Sequence, residues 1–226
     1  MRTVIFDLDG TLADTSADLV AAANACFRSL GHGDLLDPAC DALTAFHGGR
    51  AMLRLGFSRV ATAEEAIDEL LVDAQYPALL EHYARDILVH TRAYPGAIEA
   101  VQALRAQGFA VGICTNKPAG LAESLLAKMG VRDLFASMIG ADTLPVRKPD
   151  PAPYLAAVTQ AGGQVARSLL VGDTETDRKT AAAAGVPCVL VTFGPEGGGI
   201  ARLAPEALLD RYEDLPALAE RLLGAA

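Results

Sequence analysis

Two aspartates one residue apart follow an apolar run near the start of the chain. The run Val4-Ile5-Phe6 leads into Asp7-Leu8-Asp9-Gly10-Thr11, so a short strand would end in two carboxylates, a glycine and a hydroxyl. In open α/β sheets, ligands bind at the carboxyl ends of the strands. Asp7 and Asp9 therefore have the types and spacing of a catalytic pair gathered around a cation. Alone, the same residues could form a solvated Asp-Gly turn, so this chemistry needs partners elsewhere in the chain.

Three later segments supply such partners. Thr115 and Asn116 close a second apolar run, Lys148 lies in a loop before a proline-rich stretch, and Asp173 and Asp177 follow the run at 168–172. Clustered carboxylates repel each other, and Mg²⁺ prefers oxygen ligands, taking one or two carboxylates together with substrate phosphate. Lys148, the Thr115 hydroxyl and nearby backbone N–H groups would hold the remaining phosphate oxygens. Thr115 and Asn116 could also cap the helix that follows them.

The elements that would position these residues alternate between strand and helix. Continuous apolar runs indicate strands buried on both faces, as in a parallel sheet, and they occur at 3–6, 109–115, 137–140, 168–172 and 187–193. Helical segments that stop before a glycine lie between them, at 97–107, 121–129 and 176–184. The order predicts an α/β fold with a doubly wound parallel sheet. The carboxyl ends of its strands would bring the polar residues together at one edge.

A long insertion separates the first strand from the others. Between residues 16 and 89 the apolar residues recur at the helical interval, as in Leu19–Leu30 and in a second series formed by Ala66, Ile67, Leu70, Leu71, Ala74, Leu79, Leu80, Tyr83 and Ile87. We therefore expect an α/β core at 1–15 and 90–226 with an all-helical cap at 16–89. Because the cap enters directly after the two aspartates, it is positioned to cover a reacting centre and exclude water.

Composition narrows the possible partners. The formal net charge is −9, which repels nucleic acid and anionic membrane surfaces. The sequence has no secretory signal pattern and no apolar run of membrane-spanning length, and its four cysteines lack metal-type spacing. We expect a cytoplasmic protein, monomer or homodimer, without nucleic-acid or membrane partners. An anionic substrate would need local positive charge, which Lys148 supplies.

Four segments in order resemble the motifs of the haloacid dehalogenase (HAD) superfamily: DLDGTLADT at 7–15, ICTNK at 113–117, RKPDPAPY at 147–154 and VGDTETDRKTA at 171–181. The helical insertion after the first motif resembles the subfamily with a small helical cap, and within it the phosphoglycolate phosphatases and their relatives. The resemblance spans nearly the whole chain. It implies a Rossmann-like HAD core, a Mg²⁺ cofactor, and hydrolysis of a small phosphorylated metabolite, with 2-phosphoglycolate as the first candidate.

The resemblance also implies a role for each matching residue. Asp7 would attack phosphorus and form an aspartyl-phosphate, and Asp9 would protonate the leaving oxygen and then activate the hydrolytic water. The remaining roles are shared between a metal site formed by Asp7, the Asp9 backbone carbonyl and Asp173, with Asp177 in support, and a phosphate site formed by Thr115, Asn116 and Lys148.

The residues that would select the substrate lie in the cap. The segment 46–50 (FHGGR) is predicted to be a glycine loop between helices, and caps of this subfamily resemble it in using such loops to read the substrate. Gly49 and Arg50 are the candidates, with Arg50 meeting a substrate carboxylate. A solvated arginine in an exposed turn is the competing interpretation.

Other functions remain open at this level. A phosphosugar mutase resembling β-phosphoglucomutase would use the same core, and phosphatases of pyrophosphate, sugar phosphates or nucleotides are further alternatives. Dehalogenation is disfavoured because those relatives lack an acid at the position of Asp9, and phosphonate cleavage because it needs a cap lysine, which residues 16–89 do not contain. A non-catalytic binding module is disfavoured because every chemical position is occupied.

Overall fold

The computed structural model describes residues 1–62 and 66–224. The chain divides into two compact units, one formed by Met1–Asp14 with Ala93–Ala226 and the other by Thr15–Arg92. The sequence places these boundaries after residues 15 and 89. In the part of the chain that is described, no helix combines the length and the apolar character needed to cross a membrane.

The first unit is built on a parallel sheet. The strands of the chain are β1 (Thr3–Phe6), β2 (Ala13–Asp14), β3 (Arg92–Ala93), β4 (Ala110–Cys114), β5 (Ser137–Ile139), β6 (Ser168–Gly172), β7 (Cys188–Val191) and β8 (Ala207–Leu209). Six of them form one sheet in the order β5-β4-β1-β6-β7-β8, with every neighbouring pair parallel. The short strands β2 and β3 pair separately. The predicted α/β fold class, with helices between parallel strands, is confirmed.

The register of the sheet determines which residues meet at its edge. β1 lies between β4 and β6, and Phe6 pairs with Ile113 on one side and Val171 on the other. Every residue of β1, β4, β6 and β7 is buried, as their continuous apolar sequences predict. Asp7 therefore leaves the centre of the sheet between the ends of β4 and β6.

The helices of the chain are α1 (Ser16–Ser29), α2 (Pro38–Phe46), α3 (Gly49–Ser58), α4 (Glu69–Arg85), α5 (Ala97–Ala106), α6 (Ala119–Lys128), α7 (Ala152–Gln160), α8 (Glu175–Ala184) and α9 (Leu215–Leu223). Short 3₁₀ segments occur at Arg132–Leu134, Val165–Arg167, Gly197–Leu203 and Tyr212–Asp214. α8 begins with a capping box between Thr174 and Asp177 and ends at Gly185 in the left-handed conformation.

The second unit, Thr15–Arg92, contains α1 to α4. Its core includes Phe27 and Phe57, whose rings meet edge to face with centroids 5.3 Å apart. Two details differ from the sequence prediction. Gly49 and Arg50 form the first turn of α3 rather than a loop, because the chain turns at Gly48, whose φ is +99°. α4 begins only at Glu69, so Ala66 and Ile67 precede it.

Candidate active site

The loop after β1 holds Asp7 through backbone contacts. The Asp7 N–H donates to the Val171 carbonyl at 2.9 Å, and Asp7 Oδ1 accepts from the Leu8 N–H at 2.7 Å. The loop turns at Gly10, whose φ is +79°, a conformation that favours glycine. These contacts fix the backbone and one carboxylate oxygen of Asp7 at the carboxyl edge of the sheet.

Lys148 lies between two of the predicted site acids. Its Nζ is 3.1 Å from Asp7 Oδ2 and 2.6 Å from Asp177 Oδ1, and its side chain is only 2% exposed. The Asn116 side-chain amide donates to the Lys148 carbonyl at 3.0 Å, and the Lys148–Pro149 peptide bond is cis. Two loops thus cooperate to place a buried ammonium beside Asp7.

Asp177 uses both carboxylate oxygens within the protein. Its Oδ1 accepts from Lys148, while its Oδ2 accepts from the Thr174 hydroxyl at 2.6 Å and from the backbone N–H groups of Thr174 at 3.1 Å and Asp173 at 3.3 Å. A Cβ on Gly172 would lie 2.4 Å from the Asp177 side chain, so only glycine allows this approach. Asp177 is therefore hydrogen-bonded both to Lys148 and to the turn that carries Asp173.

Asp173 retains an oxygen that the protein does not satisfy. Its Oδ1 accepts from the Thr11 hydroxyl at 2.8 Å, whereas its Oδ2 is buried without a hydrogen-bond partner among the described residues. Buried polar atoms in native proteins normally have a partner, and an exception calls for an explanation such as a bound water, a bound ion or a catalytic role. The Asp173 carboxylate is therefore incomplete in the protein alone.

This incomplete carboxylate belongs to a group that fits a hard cation. Ligand oxygens of Asp7, Asp173 and Asp177 all lie within 4.8 Å of one another, and all three residues are buried. Three carboxylates against the single ammonium of Lys148 leave two formal negative charges. Oxygen donors with a twofold charge excess suit Mg²⁺, so the residues present fit the expected cofactor.

The acids are electrostatically strained without such a cation. Burial raises the pKa of Asp7 to about 6; the ammonium of Lys148 opposes this rise, and Asp177 and Asp9 add to it. Burial, followed by the charges of Asp177 and Asp7, also raises the pKa of Asp173 well above its usual range. Although burial disfavours the charged form of Lys148, Asp177 and Asp7 more than offset it and raise the Lys148 pKa. The group is therefore prepared to bind positive charge.

Asp9 lies apart from this group and has its own lysine. The Nζ of Lys117 is 2.7 Å from Asp9 Oδ1, and the described acids that converge for a metal include Asp7, Asp173 and Asp177 but not Asp9. Lys117 carries no role in the sequence analysis. Lys117 ends the segment ICTNK, but a lysine before a proline in a turn is usually exposed, so the segment alone does not indicate that this lysine is buried.

Thr115 and Asn116 leave the end of β4 toward the same edge. The Thr115 N–H donates to the Ile139 carbonyl at 2.9 Å, and its buried hydroxyl accepts from the Lys117 N–H at 3.2 Å. The alternative role as caps of α6 is wrong, since Pro118 occupies the cap position. Asp142 instead accepts from the Ala119 N–H at 2.7 Å.

Gly49 and Arg50 belong to the helical unit and are described within it. The Arg50 Nε donates to Asp73 Oδ1 at 2.7 Å, and the guanidinium lies 3.9 Å from the ring centroid of Tyr76. A Cβ on Gly49 would approach the Tyr76 ring to 2.9 Å. Arg50 therefore lies in the first turn of α3 and is paired within its own helical unit, while its side chain remains 42% exposed.

Asp7 and Asp9 have different surroundings in the α/β unit. Asp7 stands beside Lys148 and belongs to the group of carboxylates that could hold a cation. Asp9 is not a member of that group and contacts Lys117 instead. A parallel α/β sheet with a buried acidic cluster and two buried lysines at its carboxyl edge can accommodate a cation together with an anionic group.

Comparison with known proteins assigns the family. The sequence profile of the haloacid dehalogenase-like hydrolases matches residues 4–191, and the chain belongs to this family. It is similar over nearly its whole length to enzymes named phosphoglycolate phosphatase. One from Agrobacterium fabrum is 39% identical, with 98% of this chain and 95% of the relative covered. One from Mesorhizobium japonicum is 37% identical, with 99% and 97% covered.

A solved structure extends the similarity to three dimensions. The crystal structure of a predicted phosphoglycolate phosphatase from Haemophilus somnus superimposes with a TM-score of 0.84 at 26% identity. The match covers 96% of this chain and 97% of that one. The resemblance to the HAD superfamily stated from the four motifs is thus confirmed, and the chain is an enzyme of the hydrolase class.

Proposed function

We propose that this enzyme is a magnesium-dependent phosphatase that hydrolyses a small phosphorylated metabolite, with 2-phosphoglycolate as the first candidate. The observation that carries the proposal is the separation of the two motif acids. Asp7 contacts Lys148 within the cation-binding group, and Asp9 contacts Lys117 outside it. One acid is equipped to attack phosphorus and the other to move protons.

The reaction would proceed in two displacements at Asp7. In the first, a carboxylate oxygen of Asp7 forms a bond to phosphorus, the ester P–O bond breaks, and Asp9 gives its proton to the leaving oxygen. In the second, Asp9 takes a proton from water, whose oxygen attacks phosphorus. Inorganic phosphate leaves and the Asp7 carboxylate is restored. Both acids end in their starting protonation states.

The phosphate group needs cationic and hydrogen-bonding partners throughout. Lys148, placed 3.1 Å from Asp7, would contact a phosphate attached to that carboxylate, and Thr115 and Asn116 would complete the phosphate site from the end of β4. Electrostatic stabilisation and positioning are the main requirements of phosphoryl transfer. Two buried lysines at one edge of the sheet provide the local positive charge that a chain of net charge −9 otherwise lacks.

Asp7, Asp173 and the Asp9 backbone carbonyl would hold Mg²⁺, with Asp177 in support. When bound, the ion neutralises charge on the transferring phosphoryl group. The unpartnered Oδ2 of Asp173 supports this assignment. Asp177 fits the supporting role because each of its oxygens already accepts a hydrogen bond within the protein.

The substrate proposal rests on the curated relatives and on the helical unit. The relatives named phosphoglycolate phosphatase are 39% and 37% identical over nearly the whole chain. The helical unit would serve as a cap that excludes water, with Gly49 and Arg50 at the start of α3 as its substrate-reading residues. We expect this reaction in the cytoplasm, catalysed by a monomer or a homodimer.

The test is a comparison of kcat/KM over phosphorylated metabolites with Mg²⁺ present. The panel contains 2-phosphoglycolate, pyrophosphate, a hexose phosphate and a nucleoside monophosphate, and phosphate release is measured. We expect 2-phosphoglycolate to rank among the best substrates. A tenfold advantage for another compound, about 1.4 kcal/mol in transition-state free energy, would contradict the substrate assignment. Isomer conversion without phosphate release would indicate a mutase instead.

A further inference from the structure

The four lysines of this chain form one exposed pair and one buried pair. Lys128 and Lys179 are exposed, whereas Lys117 and Lys148 are buried at the carboxyl edge of the sheet. Removing an ammonium group from water costs several kcal/mol unless it is well paired. Lys148 is accounted for by its contacts with Asp7 and Asp177. Lys117 belongs to no role derived so far, and its side chain is only 3% exposed.

The backbone of Lys117 is held on both sides. Its N–H donates to the Thr115 hydroxyl at 3.2 Å, and its carbonyl accepts from the Ala141 N–H at 2.9 Å. Pro118 follows and begins the transition into α6. A backbone fixed in this way reduces the conformational freedom of the long lysine side chain. Such a reduction is needed if the lysine is to hold another group in position.

Lys117 is paired with Asp9, the acid that would release and take up a proton while its carboxylate stays in one position. The Nζ of Lys117 lies 2.7 Å from Asp9 Oδ1, and Asp9 is outside the group formed by the other three carboxylates. A divalent cation attracts every carboxylate within reach. Asp9 is close enough in sequence to Asp7 to be drawn toward the same ion, and the charge of Lys117 opposes that movement.

We propose that Lys117 is a positioning residue for the reaction of this site. Its ammonium holds the Asp9 carboxylate away from the cation-binding acids and at the place where the leaving oxygen receives its proton. The two buried lysines then have different roles. Lys148 contacts Asp7 and the phosphate, and Lys117 contacts Asp9. This inference rests on the proposed function, because it assigns Lys117 to the proton-transfer step of that phosphatase.

The test compares two kinds of phosphate ester whose leaving groups differ in how strongly they depend on receiving a proton. An aryl phosphate such as p-nitrophenyl phosphate loses a stable phenolate, whereas an alkyl phosphate loses a strongly basic alkoxide and depends on the general acid. The measured quantity is kcat/KM, since it reports the steps up to the first P–O cleavage. The substrates are p-nitrophenyl phosphate, ethyl phosphate and 2-phosphoglycolate, and the variants are Lys117→Met, Lys117→Arg, Asp9→Asn and Lys128→Met.

We expect Lys117→Met to lose at least about 100-fold more activity on the two alkyl esters than on the aryl ester, in the range supplied by general acid catalysis. Asp9→Asn should show the same dependence on the leaving group. Lys117→Arg should recover part of the loss, because it restores the positive charge. Lys128→Met, the same substitution on the exposed end of α6, should match the wild type on all three substrates.

Two outcomes would overturn the inference while leaving the phosphatase intact. One is an equal loss by Lys117→Met on aryl and alkyl esters, with Asp9→Asn still sensitive to the leaving group. The other is a loss confined to 2-phosphoglycolate, which would show that Lys117 reads the substrate carboxylate. If Lys117→Met fails to fold, Lys117→Gln is judged by the same comparison. A wild type that hydrolyses none of the esters would refute the proposed function and, with it, this role.

Discussion

The Thr11 hydroxyl donates a 2.8 Å hydrogen bond to Oδ1 of Asp173, joining two residues separated by 162 positions in the chain. The bond connects the loop after β1 with the loop after β6, the neighbouring strand of the sheet. It also orients the Asp173 carboxylate so that Oδ2 lies beside Gly10, with no partner among the described residues. The candidate cation site thus depends on how closely these two loops approach.

We predict that Gly10→Ala abolishes most of the activity. An added Cβ would lie 2.2 Å from Asp173 Oδ2, and the φ of Gly10 is +79°. The matched control is Gly108→Ala, where φ is also +79° but no atom lies within 4 Å of the new Cβ. Both variants should lose about 1 kcal/mol of unfolding free energy from the backbone conformation, measured by denaturant titration.

Only Gly10→Ala should also lose activity and magnesium dependence, because only there does the new methyl group displace Asp173. We expect a fall of at least about 100-fold in kcat/KM, as found when a group that stabilises charge in the transition state is lost. Equal activities in Gly10→Ala and Gly108→Ala would show that the position of the Asp173 carboxylate does not matter to the reaction.

Asp173→Asn should remove most of the stabilisation of the fold by Mg²⁺. In the wild type, Mg²⁺ at about 100 times its Kd should stabilise the fold by about 2.7 kcal/mol, seen as a rise in Tm. The variant should show little rise. Without metal it should melt at or above the wild-type temperature, because it lacks a buried carboxyl whose pKa is raised by burial and by Asp177 and Asp7. A Mg²⁺-dependent rise as large as that of the wild type would exclude Asp173 as a ligand.

The helical unit offers a pH-dependent test of stability. Nη1 and Nη2 of Arg59 each donate to Asp41 at 2.7 Å, and these bonds lower the pKa of Asp41 below its ordinary value. The unfolded chain therefore binds the Asp41 proton more readily than the folded protein does. The resulting stabilisation is present above the ordinary pKa and disappears as the pH falls through it toward the folded value.

Asp41→Asn should accordingly destabilise the protein at pH 7 by about 1 kcal/mol, below the usual range for a hydrogen bond to a charged group because the Arg59 side chain is 39% exposed and water screens the pair. The difference should shrink between about pH 5 and pH 3. The measurement is Tm across that range. Asp34→Asn is the control, since the pair of Asp34 and Arg28 is exposed and should contribute little. A difference that stays constant with pH would mean that charge is not responsible.

Much of the sheet follows from local sequence. The strands β1 and β6 have the predicted bounds, and β4, β5 and β7 lie inside the predicted runs, because continuous apolar sequence leaves few alternatives to a strand buried on both faces. The later elements that were not predicted include β8, α7 and α9. β8 is a three-residue edge strand, too short to show a pattern, and α7 begins among prolines, which are tolerated in a first helical turn.

The acids of the site were predictable and Lys117 was not. Asp7, Asp173 and Asp177 each follow an apolar strand, so their convergence needs only the assumption of parallel strands. The burial of Lys117 depends on Asp9, 108 positions away, and no local pattern signals such a pairing. Arg50 is similar: its contacts with Asp73 and Tyr76 arise from the packing of α3 against α4, whereas the glycines before it suggest a loop.

The most direct test of the whole account is the fate of Asp7→Asn with 2-phosphoglycolate and Mg²⁺. The amide cannot form the acyl phosphate, so phosphate release should fall by at least about 10³-fold, while the Tm should remain close to that of the wild type. In the wild type, quenched during turnover, mass spectrometry of the peptide containing Asp7 should find it phosphorylated. Hydrolysis by Asp7→Asn at a wild-type rate, or phosphorylation of a different residue, would contradict the assignment of Asp7 as the nucleophile.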